Sequence, residues 1–170
     1  MKVIHVPILN TDISNLKIGD KLAITGQIFT GRDAILPKLL ALLESNKFAE
    51  LNVNLQGSVI FHTAVSPAGV GPTSSNKLNI ENSIPALSLA GVKIHLGKGS
   101  LKSETVKALD KYGSIYAVIP PVTALLESKI TSRCVIAFPE EGMEAMHCLE
   151  VVQFPAIIAV AHGESIFDKT

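Results

Sequence analysis

The chain has 170 residues, 47% of them hydrophobic and 18% charged, and its 15 basic and 15 acidic side chains cancel. This length is typical of one domain with its own core, so residues 1–170 are interpreted as a single domain. The balanced charge argues against nucleic acid or an anionic membrane surface as a partner, because both need clustered positive charge. The most apolar stretch, Cys148–Ala161, is too short to span a bilayer. We therefore expect another protein chain to cover the surplus apolar surface.

The first residues and the cysteines together indicate a cytoplasmic, reducing compartment. Residues Met1 to His5 are typical of a first strand, since no long apolar region with a small-residue cleavage site follows them. Cys134 and Cys148 each lie in an apolar run. We interpret them as buried thiols rather than as a disulfide or a metal pair.

Hydrophobic periodicity predicts strands and helices that alternate through the middle of the chain. The predicted strands are Lys2–Leu9, Lys21–Thr30, Ser58–Val65, Val92–Leu96, Ser114–Ile119 and Arg133–Phe138, and the predicted helices are Asp33–Asn46, Asn76–Ala90, Ser103–Tyr112 and Val122–Ser128. Pro37 falls in the first turn of its helix, where a missing N–H costs little. Pro85 is expected to break its helix into two pieces.

The order of these elements predicts an α/β fold. The βαβαβ-like middle implies a mostly parallel central sheet with right-handed crossovers. The tail Ala145–Phe167 predicts two or three more strands, with a turn or an edge at Phe154-Pro155. Strand-rich ends without helices imply a second antiparallel or mixed sheet. We therefore predict a three-layer β/β/α domain with helices on one face of the central sheet.

Three predicted strands lead into a turn that contains glycine and a cation. Their turns are Gly31-Arg32-Asp33, the stretch from Gly69 through Thr73 and Ser74 to Lys77, and Gly97-Lys98-Gly99. Exposed backbone N–H groups and short hydroxyls at such turns bind anions. The sequence therefore predicts one pocket for a polyanionic small molecule.

Each cation also has a simpler interpretation. Arg32 can pair with Asp33 at a helix start, Lys77 can be an exposed first-turn residue, and Lys98 can be a solvated loop tip. A nucleoside-triphosphate site is not predicted, because Gly99 stands where a phosphate-binding loop needs Ser or Thr for magnesium.

The five histidines show no metal-ligand spacing, so no metal site is predicted on this chain. His62 and His95 lie in predicted strands. We interpret both as core or rim residues rather than as catalysts.

The motifs resemble the beta subunit, or the C-terminal domain of the single-chain form, of class I fumarate hydratases and L-tartrate dehydratases, the iron–sulfur hydro-lyases. The resemblance covers nearly the whole chain and depends on the order and spacing of the motifs. The matching segments are Gly19-Asp20, Arg32-Asp33-Ala34, Gly71-Pro72-Thr73-Ser74-Ser75, Gly97-Lys98-Gly99, Gly142-Met143-Glu144-Ala145 and Val151–Pro155.

The resemblance implies a swivelling β/β/α domain that faces a larger alpha subunit. In that family the alpha subunit holds a four-iron four-sulfur cluster through three cysteines, which this chain lacks, so the cluster is expected to come from the partner. The implied assembly is a hetero-oligomer, for which the family indicates two alpha and two beta chains. Self-association in crystals is a further expectation.

The resemblance also implies roles for individual residues. Thr73 corresponds to the proposed catalytic base, Lys98 to a catalytic and substrate-binding lysine, and Arg32 to a substrate-binding arginine. Lys77 and Ser74 are assigned to substrate binding beside them. The implied substrate is a small 2-hydroxy dicarboxylate, dehydrated reversibly from malate to fumarate or from tartrate to oxaloacetate.

Three departures from the family pattern leave a second interpretation open. Lys77 and Asn79 stand where the family has arginine and aspartate, and Leu36 replaces a common histidine. Lysine keeps the charge but loses the two-pronged carboxylate grip of a guanidinium. The alternative is a non-catalytic anion-binding or assembly module descended from that family.

Overall fold

The structure is a computed structural model that describes residues 1–67, 69–71 and 77–168. The strands are β1 Lys2–His5, β2 Lys21–Thr30, β3 Ser58–Phe61, β4 Val65–Ser66, β5 Gly69–Val70, β6 Val92–Gly97, β7 Ile115–Val118, β8 Ile130–Ala137, β9 Met146–Ala161 and β10 Glu164–Ser165. The helices are α1 Asn10–Ser14, α2 Leu36–Glu44, α3 Lys77–Leu89, α4 Ser103–Tyr112 and α5 Thr123–Ser128, with short 3₁₀ helices at Phe48–Leu51, Pro139–Glu144 and Ile166–Asp168.

The main sheet is mostly parallel and closes into a ring. Strands β1, β2, β3, β6 and β7 pair in that order, each parallel to the next. Strand β9 runs antiparallel to both β7 and β2, which joins the two ends of the β2-β3-β6-β7 series. Strands β8 and β10 pair antiparallel with β9, and β4 with β5 forms a separate two-stranded antiparallel sheet. The predicted α/β class is confirmed, although the tail strands extend the main sheet and the separate second sheet is small.

Two apolar cores separate the layers. One lies among the strands of the ring, where the Phe61 ring of β3 and the Phe154 ring of β9 meet edge to face with their centres 5.6 Å apart. The other lies between the sheet and the helices, where Leu36, Ile84 and Leu109 bring α2, α3 and α4 against the strands. No helix in the described parts of the chain combines the length and apolar character needed to cross a bilayer.

Strand β9 continues through Phe154 and Pro155, so of the predicted alternatives the turn is wrong and the edge is correct. The N–H of Ile158 points toward β2, since it donates to the carbonyl of Asp20 at 2.9 Å. N–H groups alternate along a strand, so position 155 faces the other side of β9. On that side β8 pairs only as far as Val151 and β7 only from residue 157. Pro155 therefore lies in a gap where no N–H donor is required.

Helix α3 is continuous across Pro85, so the predicted break is also wrong. Proline removes one helical donor, the one that would bond the carbonyl of Glu81. The helix buries Ile80, Ile84 and Leu87 against the sheet. This apolar burial outweighs the loss of a single hydrogen bond.

The sheet register brings the ends of the parallel strands to one edge. Thr30 of β2 pairs with Phe61 of β3, which pairs with Leu96 of β6, which pairs with Ala117 of β7. The chain leaves each strand within two residues of this row. Loops at the carboxyl ends of parallel strands are the usual place for ligand sites in such sheets.

Replacing Gly91 by alanine is expected to lower the free energy of unfolding by about 3 kcal/mol or more. Gly91 connects α3 to β6 with φ +120°, and a Cβ there would lie 2.8 Å from the Cα of Gln56. Urea denaturation measures the loss. Gly19→Ala is the control, because φ is +86° but no atom lies within 4 Å, and about 1 kcal/mol is expected. Equal losses in the two variants would contradict the steric argument.

Candidate functional site

A cleft of about 640 Å³ opens at the edge where the parallel strands end, between α3, the loop after β6 and the start of α4. The residues that line it are Lys77, Glu81, Lys98, Gly99, Ser100, Leu101 and Lys102. Three ammonium groups face one carboxylate in this set. The cleft therefore carries net positive charge and favours an anionic ligand.

Lys77 and Lys98, two of the predicted binding residues, are in contact. The Lys77 ammonium donates to the backbone carbonyl of Lys98 at 2.8 Å and lies 5.6 Å from the centre of the Tyr116 ring. The Tyr116 hydroxyl donates to the same carbonyl at 2.7 Å. Burial lowers the pKa of Lys77, the Glu81 carboxylate opposes that shift, and the Lys98 charge adds to it. Two donors thus fix the backbone of the Gly97-Lys98-Gly99 turn.

The Lys98 side chain itself is exposed. Within the described parts of the chain its ammonium has no hydrogen bond or ion pair. It also lines a second hollow of about 190 Å³ formed with Gly71 and the segment 119–123. Among the described residues, Lys98 lines both hollows and offers its charge to a ligand in either.

Close contacts explain why the turn has glycine at positions 97 and 99. A Cβ at Gly97 would lie 3.0 Å from the Tyr116 hydroxyl and 3.1 Å from Nδ1 of His62. A Cβ at Gly99, where φ is +78°, would lie 3.3 Å from the Lys77 ammonium. Glycine lets the turn lie close against these polar groups.

Glu81 is a cleft residue that sequence reasoning missed. It is buried, and one carboxylate oxygen accepts from the backbone N–H of Lys102 at 2.8 Å and from the Thr105 hydroxyl at 2.7 Å. The Glu81 carboxylate thus caps the N-terminus of α4 and links that helix to α3. A signal was present in the sequence, because Glu81 and Ser88 fall on the helical face of the buried Ile84.

Behind the cleft lie two fully buried histidines whose rings are 6.1 Å apart. Nε2 of His95 lies 2.8 Å from the Ser88 hydroxyl. Of the other ring nitrogens, neither those of His62 nor Nδ1 of His95 has a hydrogen-bond partner within the described parts of the chain. Burial, helped by the Lys77 charge, lowers the pKa of His62 to about 3. Burial and then His62 lower the pKa of His95. The predicted core position of both residues is confirmed, and both are neutral at pH 7.

Arg32 lies at the same edge of the sheet but is not among the described residues that line the cleft. Its guanidinium donates to one oxygen of Glu144 at 3.1 Å, and the other oxygen accepts from the backbone N–H of Ala34 at 3.0 Å. Glu144 comes from the segment between β8 and β9, 112 residues away in the chain. The contact of Glu144 with Arg32 was not predicted.

The predicted site residues are thus partly brought together. Lys77 and Lys98 share the cleft, and Arg32 lies at the same edge, held by Glu144. Thr73 and Ser74 lie outside the described residues. The functional roles assigned to all five stay predictions.

Glu144→Gln is expected to lower the free energy of unfolding by about 1 kcal/mol at pH 7. Burial tends to raise the pKa of Glu144, but the hydrogen bonds from Arg32 and Ala34 and the Arg32 charge outweigh it, so the pKa is lowered. A carboxyl with a lowered native pKa stabilises the fold above its unfolded pKa near 4.5. This contribution is lost as the pH falls through the native value.

The wild-type and Glu144→Gln stabilities should therefore converge in acid, measured by urea unfolding from pH 7 to pH 3. Glu140→Gln is the matched control, since the Glu140 side chain is 60% exposed and lies 3.5 Å from Lys38. A gap between wild type and Glu144→Gln that persists at the lowest pH would contradict the ion-pair explanation.

Comparison with known proteins identifies the family. The sequence matches the family described as Fumarase C-terminus over residues 2–170, and the chain belongs to that family. The resemblance inferred from the motifs is confirmed.

Particular relatives carry two kinds of name. The chain is 33% identical to the putative L(+)-tartrate dehydratase subunit beta of Methanocaldococcus jannaschii, over 93% of this chain and 87% of that protein. It is 25% identical to the L(+)-tartrate dehydratase subunit beta of Escherichia coli, over 97% of this chain and 86% of that protein. It is 32% identical to the anaerobic class I fumarate hydratase of Escherichia coli, over 87% of this chain but only 28% of that protein.

The described residues of this chain do not provide a ligand set for an iron–sulfur cluster. No group of three or more His, Cys, Asp or Glu side chains in the described parts of the chain is arranged to hold a metal ion. Cys148 is buried, but Cys134 is exposed, so the prediction that both thiols are buried is wrong for Cys134. Strand β8 lies at an edge, which leaves that side chain in solvent.

Proposed function

We propose that this chain is the beta subunit of an iron–sulfur-dependent hydro-lyase that reversibly dehydrates a 2-hydroxy dicarboxylate, malate to fumarate or tartrate to oxaloacetate. The observation that carries the proposal is the cationic cleft of Lys77 and Lys98 at the strand ends, in a member of the Fumarase C-terminus family. The names of the tartrate dehydratase and fumarate hydratase relatives support this reaction class.

The proposed role of the cleft is to hold the substrate carboxylates. Lys98 is exposed, and within the described residues its ammonium has no hydrogen bond or ion pair, so its charge is available to a ligand. Lys77 has its ammonium against the Lys98 carbonyl and adds charge from the wall of the cleft. When a proton leaves the carbon next to a carboxylate, negative charge builds on the carboxylate oxygens, and fixed cations stabilise that charge.

The proposed base is Thr73, with Ser74 and Arg32 as further carboxylate-binding residues. A threonine hydroxyl is a weak base unless nearby positive charge favours its alkoxide. Thr73 and Ser74 come four and three residues before Lys77, the first residue of α3, which supports placing that charge beside them. The Arg32 guanidinium donates to Glu144, which helps to position it.

The four-iron four-sulfur cluster is proposed to be held by a cluster-bearing alpha subunit, because the described residues of this chain do not fit it. Bound there, it would supply Lewis-acid chemistry for the substrate hydroxyl. The assembly is then a hetero-oligomer, which we place in the cytoplasm. The tartrate dehydratase relatives are named as beta subunits, which supports a second chain in the assembly.

The test is anaerobic co-expression of this chain with the cluster-bearing alpha subunit of its source organism. Purified complex with its cluster intact is assayed with malate, fumarate and L-tartrate. Turnover of one of these acids that requires both chains supports the proposal. Absence of turnover with all three in a cluster-loaded complex would contradict it.

The alternative function, a non-catalytic anion-binding or assembly module, is favoured by one observation. The Lys77 ammonium is bonded to the Lys98 carbonyl and lacks the two-pronged grip that a guanidinium would give. Such a module would bind small dicarboxylates without converting them. Isothermal titration of the cluster-loaded complex together with the activity assay separates the two functions.

A further inference from the structure

A second groove, of about 560 Å³, lies apart from the cationic cleft. Strands β2, β8 and β9 form its floor, and the N-terminal residues and the segment 52–58 form its walls. None of the described residues that line the cleft also lines this groove. Its floor contains both cysteines of the chain, Cys134 and Cys148.

The two thiols lie directly opposite each other on neighbouring strands. Cys134 of β8 pairs with Cys148 of β9 in the antiparallel register. Opposed residues in such a pair project from the same face of the sheet. The Cys134 thiol is close enough to contribute to the raised pKa of Cys148. Cys134 is exposed, whereas Cys148 is only 8% exposed.

The direction of the backbone N–H groups of β9 shows which type of antiparallel pair Cys134 and Cys148 form. The N–H of His147 points toward β2, where it donates to the Thr30 hydroxyl at 3.0 Å. The N–H of Cys148 therefore points toward β8, and the two cysteines form a hydrogen-bonded pair with Cα atoms about 5.5 Å apart. That Cα separation suits a disulfide, although the Cβ atoms must approach by about 1 Å.

Strand β8 is the one that must shift for the disulfide to form, and its position at the edge of the sheet allows this. Cys148 is fixed between two strands, because it also pairs with Phe29 of β2. Within the described residues β8 pairs only with β9. The register shifts on both sides of Cys134, between Ile130 and Ser132 and between Val135 and Ala137. Such irregular positions let an edge strand bend locally.

We propose that Cys134 and Cys148 form a thiol–disulfide modification site for hydroperoxides, in which Cys134 reacts first and Cys148 closes a reducible disulfide between β8 and β9. The disulfide would be strained, because the strand pairing holds the two Cβ atoms farther apart than a disulfide prefers. A strained disulfide is more easily reduced than a relaxed one. Oxidation would join β8 to β9 by a disulfide, and reduction would release β8 again. It does not depend on the proposed hydro-lyase activity.

The chemistry balances with hydrogen peroxide as the oxidant. The Cys134 thiolate attacks one peroxide oxygen, the O–O bond breaks, and a sulfenic acid and hydroxide form. The Cys148 sulfur then displaces the hydroxyl group from the Cys134 sulfur. Two electrons pass from the two sulfur atoms to the peroxide, and the two thiol protons leave in two water molecules.

Exposure and burial set the order of the two steps. The thiolate is the nucleophile, and an exposed thiol meets the oxidant first. Burial, then the neighbouring Cys134 and Glu150, raise the pKa of Cys148 to about 11. Cys148 is therefore a poor first nucleophile, but it lies where the sulfenic acid forms.

The test treats the full chain with a small excess of hydrogen peroxide and follows intact mass, free thiols and linked peptides. The expected result is loss of two hydrogens, loss of both free thiols and one peptide pair that joins Cys134 to Cys148. Dithiothreitol should restore the starting mass. Oxidation of Cys134 to sulfinic acid with a free Cys148 thiol would overturn the proposal, as would a disulfide between two chains or no reaction.

Two single variants supply the controls. Cys148→Ser should leave a Cys134 sulfenic acid that dimedone traps, because the second thiol is absent. Cys134→Ser should make the remaining thiol react at least about tenfold more slowly, because that thiol is buried and protonated. If Cys148 reacts as fast alone as the pair does, or if Cys148→Ser yields no trapped sulfenic acid, the proposed order is wrong.

Discussion

Lys98→Ala is expected to lower kcat of the assembled hydro-lyase by about a hundred- to a thousandfold, the usual cost of removing one group that stabilises transition-state charge. The ammonium of Lys98 has no partner within the described parts of the chain, so its charge remains for the ligand. The fold should hardly change, because the structural part of Lys98 is its backbone carbonyl, which accepts from Lys77 and Tyr116. Steady-state kinetics of the complex, with urea unfolding of the variant chain, measures both quantities.

Lys107→Ala is the matched control for this prediction. Lys107 is an exposed lysine on α4 that does not line the cleft, so its removal should leave kcat within about twofold while changing the net charge equally. Lys98→Arg should recover part of the activity, since it restores a cation of different shape. Near-wild-type turnover of Lys98→Ala would remove Lys98 from the proposed machinery.

The second large effect is expected in acid. The native pKa of His62 is lowered to about 3, and the native pKa of His95 is lowered as well. Between pH 6.5 and the native values, the unfolded chain binds protons at these two residues that the folded chain does not. Their contribution is complete above pH 6.5 and is lost as the pH falls. Each histidine adds up to about 1.4 kcal/mol per pH unit to this loss.

Urea unfolding at pH 7, 6 and 5 checks this slope. His62→Gln should be less stable than wild type at pH 7, because a packed ring is lost, but its stability should fall less steeply with acid. His5→Gln is the control, since His5 is exposed on β1, and it should keep the wild-type slope. Identical slopes for wild type and His62→Gln would mean that the buried imidazole does not control acid stability.

Several elements were predictable because their signals are local. Helix α4 occupies the predicted Ser103–Tyr112 and β2 the predicted Lys21–Thr30. The end of α4 is marked by Gly113, whose φ of +69° suits a helix C-terminus. Apolar periodicity over such segments needs no information from distant parts of the chain.

The sequence was least informative where distant strands decide the outcome. Pro155 is compatible with β9 only because β8 and β7 leave a gap beside it, and periodicity cannot show that gap. The parallel-sheet rule placed Lys98 and Arg32 at one edge, but it could not show that Glu144 holds Arg32 from 112 residues away. The cross-strand pairing of the two cysteines is likewise a property of register, which composition does not contain.

The closed ring of strands has a consequence for biosynthesis. β2 and β9 are joined by pairs such as Gln27 with Glu150, which lie 123 residues apart. Pairings this distant in sequence slow the search for the native topology. On the ribosome, β2 must wait without its antiparallel neighbour until β9 has emerged, with its backbone groups unpaired on that side. The nascent chain is therefore most exposed to misassociation just before β9 is released.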